Sequence, residues 1–155
     1  MYLQQSMTLK QKTYNHCLQL ITQKIAELNN TLDELGEGIK DDSKSSAGDK
    51  HETSRAMAQI EQEKTARQLK ETTEQKSLLE KLNITSFSKE IIKGSLVKTN
   101  TVYLFISIAL GKITVDNTIV FAISPQSPLG IKLLGLKPKD TTELNGIKYF
   151  IETIE

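Results

Sequence analysis

The sequence predicts an α+β protein: a long antiparallel coiled-coil hairpin over residues 1–83, then a small strand-rich domain with one short helix over 84–155. Three observations predict it. Apolar residues recur at heptad spacing from Tyr14 to Ile39, a polar stretch without an apolar anchor interrupts at 41–48, and strand-forming residues take over after Asn83.

The first helix rests on Tyr14, Leu18, Ile21, Ile25, Leu28, Leu32, Leu35 and Ile39. After the first step of four, their spacings alternate 3 and 4, the seam of a helix that pairs with another helix over three heptads. Gln, Lys, Asn, Thr, Asp and Glu fill the positions between, as on a solvated face. Gly36 and Gly38 weaken the helix towards its end, each by roughly 1 kcal/mol relative to Ala. The segment DDSKSSAG then turns the chain. A second helix is predicted from about Asp49 to Leu82, free of Gly and Pro, with a patchier seam of Met57, Ile60, Ala66, Leu69, Leu78, Leu79 and Leu82. Roughly 34 helical residues span about 50 Å. A short polar connection forces the two helices to run in opposite directions, so the sequence SAGDKHETS at 46–54 is expected at the far end of a rod.

Beyond a lead-in at Thr85 to Lys93, three β-branched and aromatic segments follow: SLVKTNTVYLFISIAL, KITVDNTIVFAIS and GIKYFIETIE. Gly111, Asp116-Asn117 and Asn145-Gly146 punctuate them as turn residues. Ser127 followed by Pro128 reads as a helix cap with proline in the first turn, opening a short helix that ends at Gly135.

Composition bounds the function classes. Net charge is +1 in total, with 12 Lys/Arg against 13 Asp/Glu up to Asn83 and 8 against 6 after it, so charge alone forces no nucleic-acid or membrane partner. The lone cysteine, Cys17, cannot close an intramolecular disulfide, which points to a reducing compartment. The apolar run at Val102 to Leu110 is about half of a membrane-spanning length, and the N-terminus lacks an apolar signal region. A cytoplasmic protein with no membrane role is expected. The chain carries no cofactor motif, catalytic-triad pattern or phosphate-binding glycine loop, so a stand-alone enzyme is not expected.

Two motifs carry a resemblance. Gly48, Asp49 and Glu52 stand at the start of the second helix, and Ile123, Ser124, Ser127, Pro128, Leu129, Gly130, Leu133, Gly135 and Asp140 follow the pattern I-S-x-x-S-P-L-G-x-x-L-x-G-x-x-x-x-D. In that order and at that distance they resemble the Gre-type (GreA/GreB-like) bacterial transcription elongation factors, over most of the chain. This chain departs from the family in having Lys50 and His51 between the two acids, Arg55 where another acid is common, and Lys139 where a glycine precedes Asp140. It resembles a divergent member.

The resemblance implies an FKBP-like C-terminal domain that docks on RNA polymerase and a hairpin end that enters the polymerase secondary channel. It implies that Asp49 and Glu52 help to hold a Mg²⁺ shared with the polymerase active site, assisting cleavage of the backtracked RNA 3′ end. The chain would act on nascent RNA indirectly, as a monomeric accessory factor without catalytic residues of its own. Two carboxylates three apart suit this, because they share a helix face and a hard divalent ion takes oxygen ligands. The same spacing also suits a capping box in a first turn favoured by the helix dipole. The accessory residues at this end are Gly48, Lys50, His51 and Arg55; the expected polymerase contact comprises Phe121, Ser124, Ser127, Pro128, Leu129 and Gly130. Lys50 and Arg55 dilute the negative charge, which favours an alternative: a channel-occupying regulator that does not cleave. A third reading, prolyl isomerase activity, would need an aromatic pocket built from Phe87, Tyr103, Phe105, Phe121, Tyr149 and Phe150.

Overall fold

The computed structural model describes residues 7–43 and 49–155, with side chains throughout except at 38–43 and 49–51. Two helices, α1 (Leu9–Ser43) and α2 (Asp49–Glu80), precede strands β1 (Leu96–Thr99), β2 (Tyr103–Ile106), β3 (Gly111–Val115) and β4 (Thr118–Ile123). A short helix α3 (Pro128–Leu133) and strands β5 (Thr141–Leu144) and β6 (Ile147–Ile154) complete the order. The architecture is α+β: two long packed helices, then a six-stranded mixed sheet with a short helix. The chain divides into two units, one of residues 20–77 and one joining residues up to Gln19 with those from Leu78 onward.

In the unit of residues 20–77, α1 turns the expected face inward. Ile21 is fully buried, and Ile25, Leu28, Leu32 and Leu35 are half-buried in heptad register. The helix continues through Gly36 to Ser43, three residues into the polar stretch. The Ile39 side chain lies outside the described residues.

The expected seam of α2 is corrected. Met57 and Ile60 are 65% exposed, Leu78 is 59% exposed, and Ala66 also faces out. The covered row is Ala58, Gln62, Thr65, Leu69, Thr72, Lys76 and Leu79, spaced alternately by 4 and 3. Phase explains the difference: at about 100° per residue, Ile60 lies on the opposite side of the helix from Leu69, and Met57 about a third of a turn away. A row through Leu69 and Leu79 therefore takes threonines with it. Their hydroxyls donate to carbonyls one turn back, Thr65 to Glu61 at 2.8 Å and Thr72 to Gln68 at 2.6 Å. The polar atom is thereby satisfied within the helix and the γ-methyl is left to pack.

In the other unit the sheet order is β3-β4-β2-β1-β6-β5, with β2 and β4 parallel and all other neighbours antiparallel. The first two predicted strand segments are each two strands. β3 and β4 join through Asp116 and Asn117 at φ 49° and 60°, and β5 and β6 through Asn145 and Gly146 at φ 53° and 80°. Two consecutive positive φ values make the type I′ turn whose twist matches the flanking strands. Strand β5, from Thr141 to Leu144, lies in a stretch to which the sequence reading assigned no element.

Both faces of the sheet carry buried side chains. On one, Val97, Leu104, Ile106 and Ile151 join Ile91 and Leu133 of α3 in a buried cluster, with Phe121, Ile123 and Leu129 packed against it. On the other, the register aligns Leu96 with Phe105 and Ala122, and Val120 with Ile113, all buried. The first turns of α1 belong to this unit: Lys10, Thr13 and Cys17 are buried, and Lys12 Nζ pairs with Asp116 Oδ2 at the β3–β4 turn. Lys10 Nζ donates to the Ser86 carbonyl at 3.3 Å and lies 5.6 Å from the centre of the Phe87 ring, which ties α1 to the connection before β1. Burial lowers the Lys10 pKa, partly offset by the charge of Glu155. Among the described residues, no buried side-chain nitrogen or oxygen lacks a hydrogen-bond partner.

Candidate functional site

Helix α2 is described from Asp49 onward, and Asp49 and Glu52 lie in it three residues apart along one side. Glu52 is exposed, and Arg55, a further three residues on, is exposed as well. Gly48 lies outside the described residues, as do the side chains of Asp49, Lys50 and His51. Among the described residues, no three His, Cys, Asp or Glu side chains gather as metal ligands. Two carboxylates at a helix start supply hard oxygen donors that fit a divalent ion completed by water and phosphate. On their own they are a partial ligand set.

The second motif forms the junction of β4 and α3. Ser127 is the N-cap of α3: its Oγ accepts from the Gly130 N–H at 3.1 Å and donates to the Ser124 carbonyl at 2.6 Å. Ser124 Oγ in turn accepts from the Gln126 N–H at 3.1 Å. Pro128 takes the first helical position, where an N–H would have no intrahelical partner. Gly130 is buried against the incoming chain, and Leu129 reaches into the core beside Leu133. Phe121 is half-buried on the same face of the sheet. The structure thus uses most of this motif to turn the chain from strand into helix. Past α3, Gly135 adopts φ 88° and donates its N–H to the Ile91 carbonyl at 2.9 Å. Asp140 closes the next turn, Oδ2 accepting from the Lys137 N–H at 2.8 Å while the Lys137 carbonyl accepts from the Asp140 N–H at 3.0 Å. Lys139, within that turn, has φ 79°, a conformation that favours glycine.

The aromatic residues do not converge. Tyr103 and Phe121 line an open groove of about 540 Å³ with Val102, Lys112 and Ile119, whereas Phe105 is in the core and Phe87 is 78% exposed. A second groove of about 350 Å³ runs beside Lys12, His16 and Asp116, and a third of about 740 Å³ lies between Leu32 and Gly36 of α1 and Gln62 and Ala66 of α2. Cys17 is fully buried, and burial pushes its thiol up to about 12, which disfavours the nucleophilic thiolate. No described helix is long and apolar enough to cross a membrane.

The sequence reading missed three outward apolar residues of this unit: Ile92, Ile131 and Leu134, exposed by 40%, 62% and 36%. Each stands in an apolar run, I-I or I-K-L-L, in which the sequence does not distinguish the buried member from the exposed one. No family model, no curated protein and no solved structure matches the chain.

Proposed function

We propose that the chain is a Gre-type transcription elongation factor. It would bind RNA polymerase through the FKBP-like C-terminal domain, on the segment from Phe121 to Gly135, and insert the connection between α1 and α2 into the secondary channel. The observation that carries the reading is the pairing of the G-D-x-x-E sequence, whose two acids lie three residues apart in α2, with the S-x-x-S-P-L-G junction at the start of α3. Lys139 adds support: it occupies a left-handed conformation at the position where the family pattern has glycine.

In this role Asp49 and Glu52 contribute carboxylate oxygens to a Mg²⁺ that the polymerase holds in part. The ion supplies Lewis-acid stabilisation of the oxygens at the scissile phosphate. The chain's own part is to bring two negative charges of α2 to a site it does not otherwise form. It is an accessory factor, acting in the cytoplasm as a monomer. Arg55, exposed one turn beyond Glu52, favours a second reading, occupancy of the channel without cleavage.

The deciding experiment is transcript cleavage by a stalled, backtracked elongation complex of the polymerase from the organism that encodes the chain. Cleavage with the wild type, abolished by Asp49→Asn with Glu52→Gln while binding persists, is the expected result. Binding without any stimulation would select the second reading, and failure to bind core polymerase at about micromolar concentration would end both.

A further inference from the structure

The outer side of α3 and the segment running beside it form a patch of a kind that protein partners use. Ile91 and Gly135–Leu136 are joined by two backbone hydrogen bonds, from Gly135 N–H to the Ile91 carbonyl at 2.9 Å and from Ile91 N–H to the Leu136 carbonyl at 2.8 Å. These bonds bring residues 89–93 alongside the end of α3. Ile91 and Leu133 turn inward to the core, so Ile92, Ile131 and Leu134 are left outward, with Ile131 and Leu134 one helical turn apart. The same two stretches, 89–93 and 131–137, carry Lys89, Lys93, Lys132 and Lys137 against the single acid Glu90, and all four lysines are exposed.

An apolar centre with a polar rim is the anatomy of a protein interface, and here the rim is mainly positive, with four lysines against Glu90 and against Asp140, whose Oδ2 accepts from the Lys137 N–H. We infer that this patch docks an acidic amphipathic segment of a partner protein: apolar side chains cover Ile92, Ile131 and Leu134 while carboxylates meet Lys93, Lys132 and Lys137. A nucleic acid would satisfy the lysines and leave the three apolar side chains in water, so a protein fits better. The patch extends the docking segment proposed above and rests on that reading only for the partner's identity. Transcript cleavage tests the reading, and the titration below tests the surface.

Two helical peptides with one leucine pattern, bearing either glutamate or lysine at the polar positions, and a single-stranded oligonucleotide are titrated into the full chain while backbone amide resonances are followed. The glutamate peptide is expected to shift Ile92, Ile131 and Leu134. Its affinity should fall by about tenfold or more in Ile131→Ser with Leu134→Ser, and comparably in Lys132→Glu with Lys137→Glu, with the circular dichroism of the chain unchanged. Equal binding of the lysine peptide, or a glutamate-peptide response elsewhere on the chain, would overturn the inference. So would an oligonucleotide that binds these lysines more tightly than the peptide does. Concentration-dependent shifts at the same three residues without any peptide would assign the patch to a second copy of the chain and overturn it equally.

Discussion

A Cβ added at Gly130 would stand 2.2 Å from the carbonyl oxygen of Ser124 and 2.9 Å from Pro125 Cα. Both neighbours are backbone, and the Ser124 carbonyl is held by the Ser127 hydroxyl, so neither can retreat cheaply. Gly130→Ala is expected to destabilise the chain by about 1–3 kcal/mol, as overpacking does. Ser127→Ala, which removes the cap without a clash, should cost about 1 kcal/mol. Urea midpoints at constant slope measure both, and a Gly130→Ala midpoint equal to wild type would disprove the close approach.

The register of α2 is open to a paired test. Thr72→Val keeps the shape and removes a hydroxyl whose carbonyl partner retains its helical bond, so stability should hold or rise by up to about 1 kcal/mol. Leu79→Ala should cost about 2–5 kcal/mol, while Met57→Gln should stay within about 0.5 kcal/mol. A large loss at Met57 would restore the seam expected from the sequence, and none at Leu79 would contradict both registers.

Lys139 occupies its left-handed conformation while its N–H donates to the Ile151 carbonyl at 2.7 Å. A lysine side chain is strained there, whereas glycine is not. Lys139→Gly is therefore expected to raise stability by up to about 1 kcal/mol, less whatever glycine adds to the entropy of the unfolded chain. Thermal unfolding with the wild type as reference would show it.

Cys17 gives a pH signature. The unfolded thiol ionises near 9.0 and the folded one only at about 12, so above pH 9 the unfolded chain binds fewer protons and stability falls as pH rises. Lys10 acts in the opposite sense just below 10.5, since burial makes the folded lysine lose its proton first. The difference between wild type and Cys17→Ala isolates the thiol: the gap should narrow between pH 9 and 12. In the native state at pH 8, iodoacetamide should leave Cys17 unmodified until denaturant is added. Rapid native alkylation would contradict its burial.

What was legible followed from chemistry that is local in the chain. Asn145-Gly146 and Asp116-Asn117 mark their turns because few residue pairs tolerate two positive φ values, and Ser127-Pro128 marks a helix start because both residues suit orphan backbone groups. The seam of α1 was legible because seven of its apolar residues share one phase. That of α2 was legible only at Leu69, Leu79 and Leu82, because Thr65 and Thr72 hide a packing surface behind a polar name, and Met57 and Ile60 show apolar side chains on the wrong side. β5 escaped notice because Thr-Thr-Glu-Leu offers little apolar alternation, and its strand state comes from pairing with β6. At the candidate site, the helical placement of Asp49 and Glu52 and the cap at Ser127 were legible, whereas the close approach of Gly130 to Ser124 depends on how the chain passes over itself.

The pairing of β1 with β6 has a consequence for the growing chain. Leu96 and Glu155 exchange backbone hydrogen bonds at 3.1 and 2.8 Å, and Val97 lies opposite Ile154, so the middle of the sheet closes only when residues near 155 are available. At about 5–20 residues per second, translation leaves the first turns of α1 waiting on the order of ten seconds for the complete sheet of their unit. During that interval the two helices can already zip together, while Leu96, Phe105 and Ile113 have only a half-made sheet to shield them. The nascent chain therefore presents a sticky, unfinished surface to the ribosome exit and to chaperones until β6 emerges.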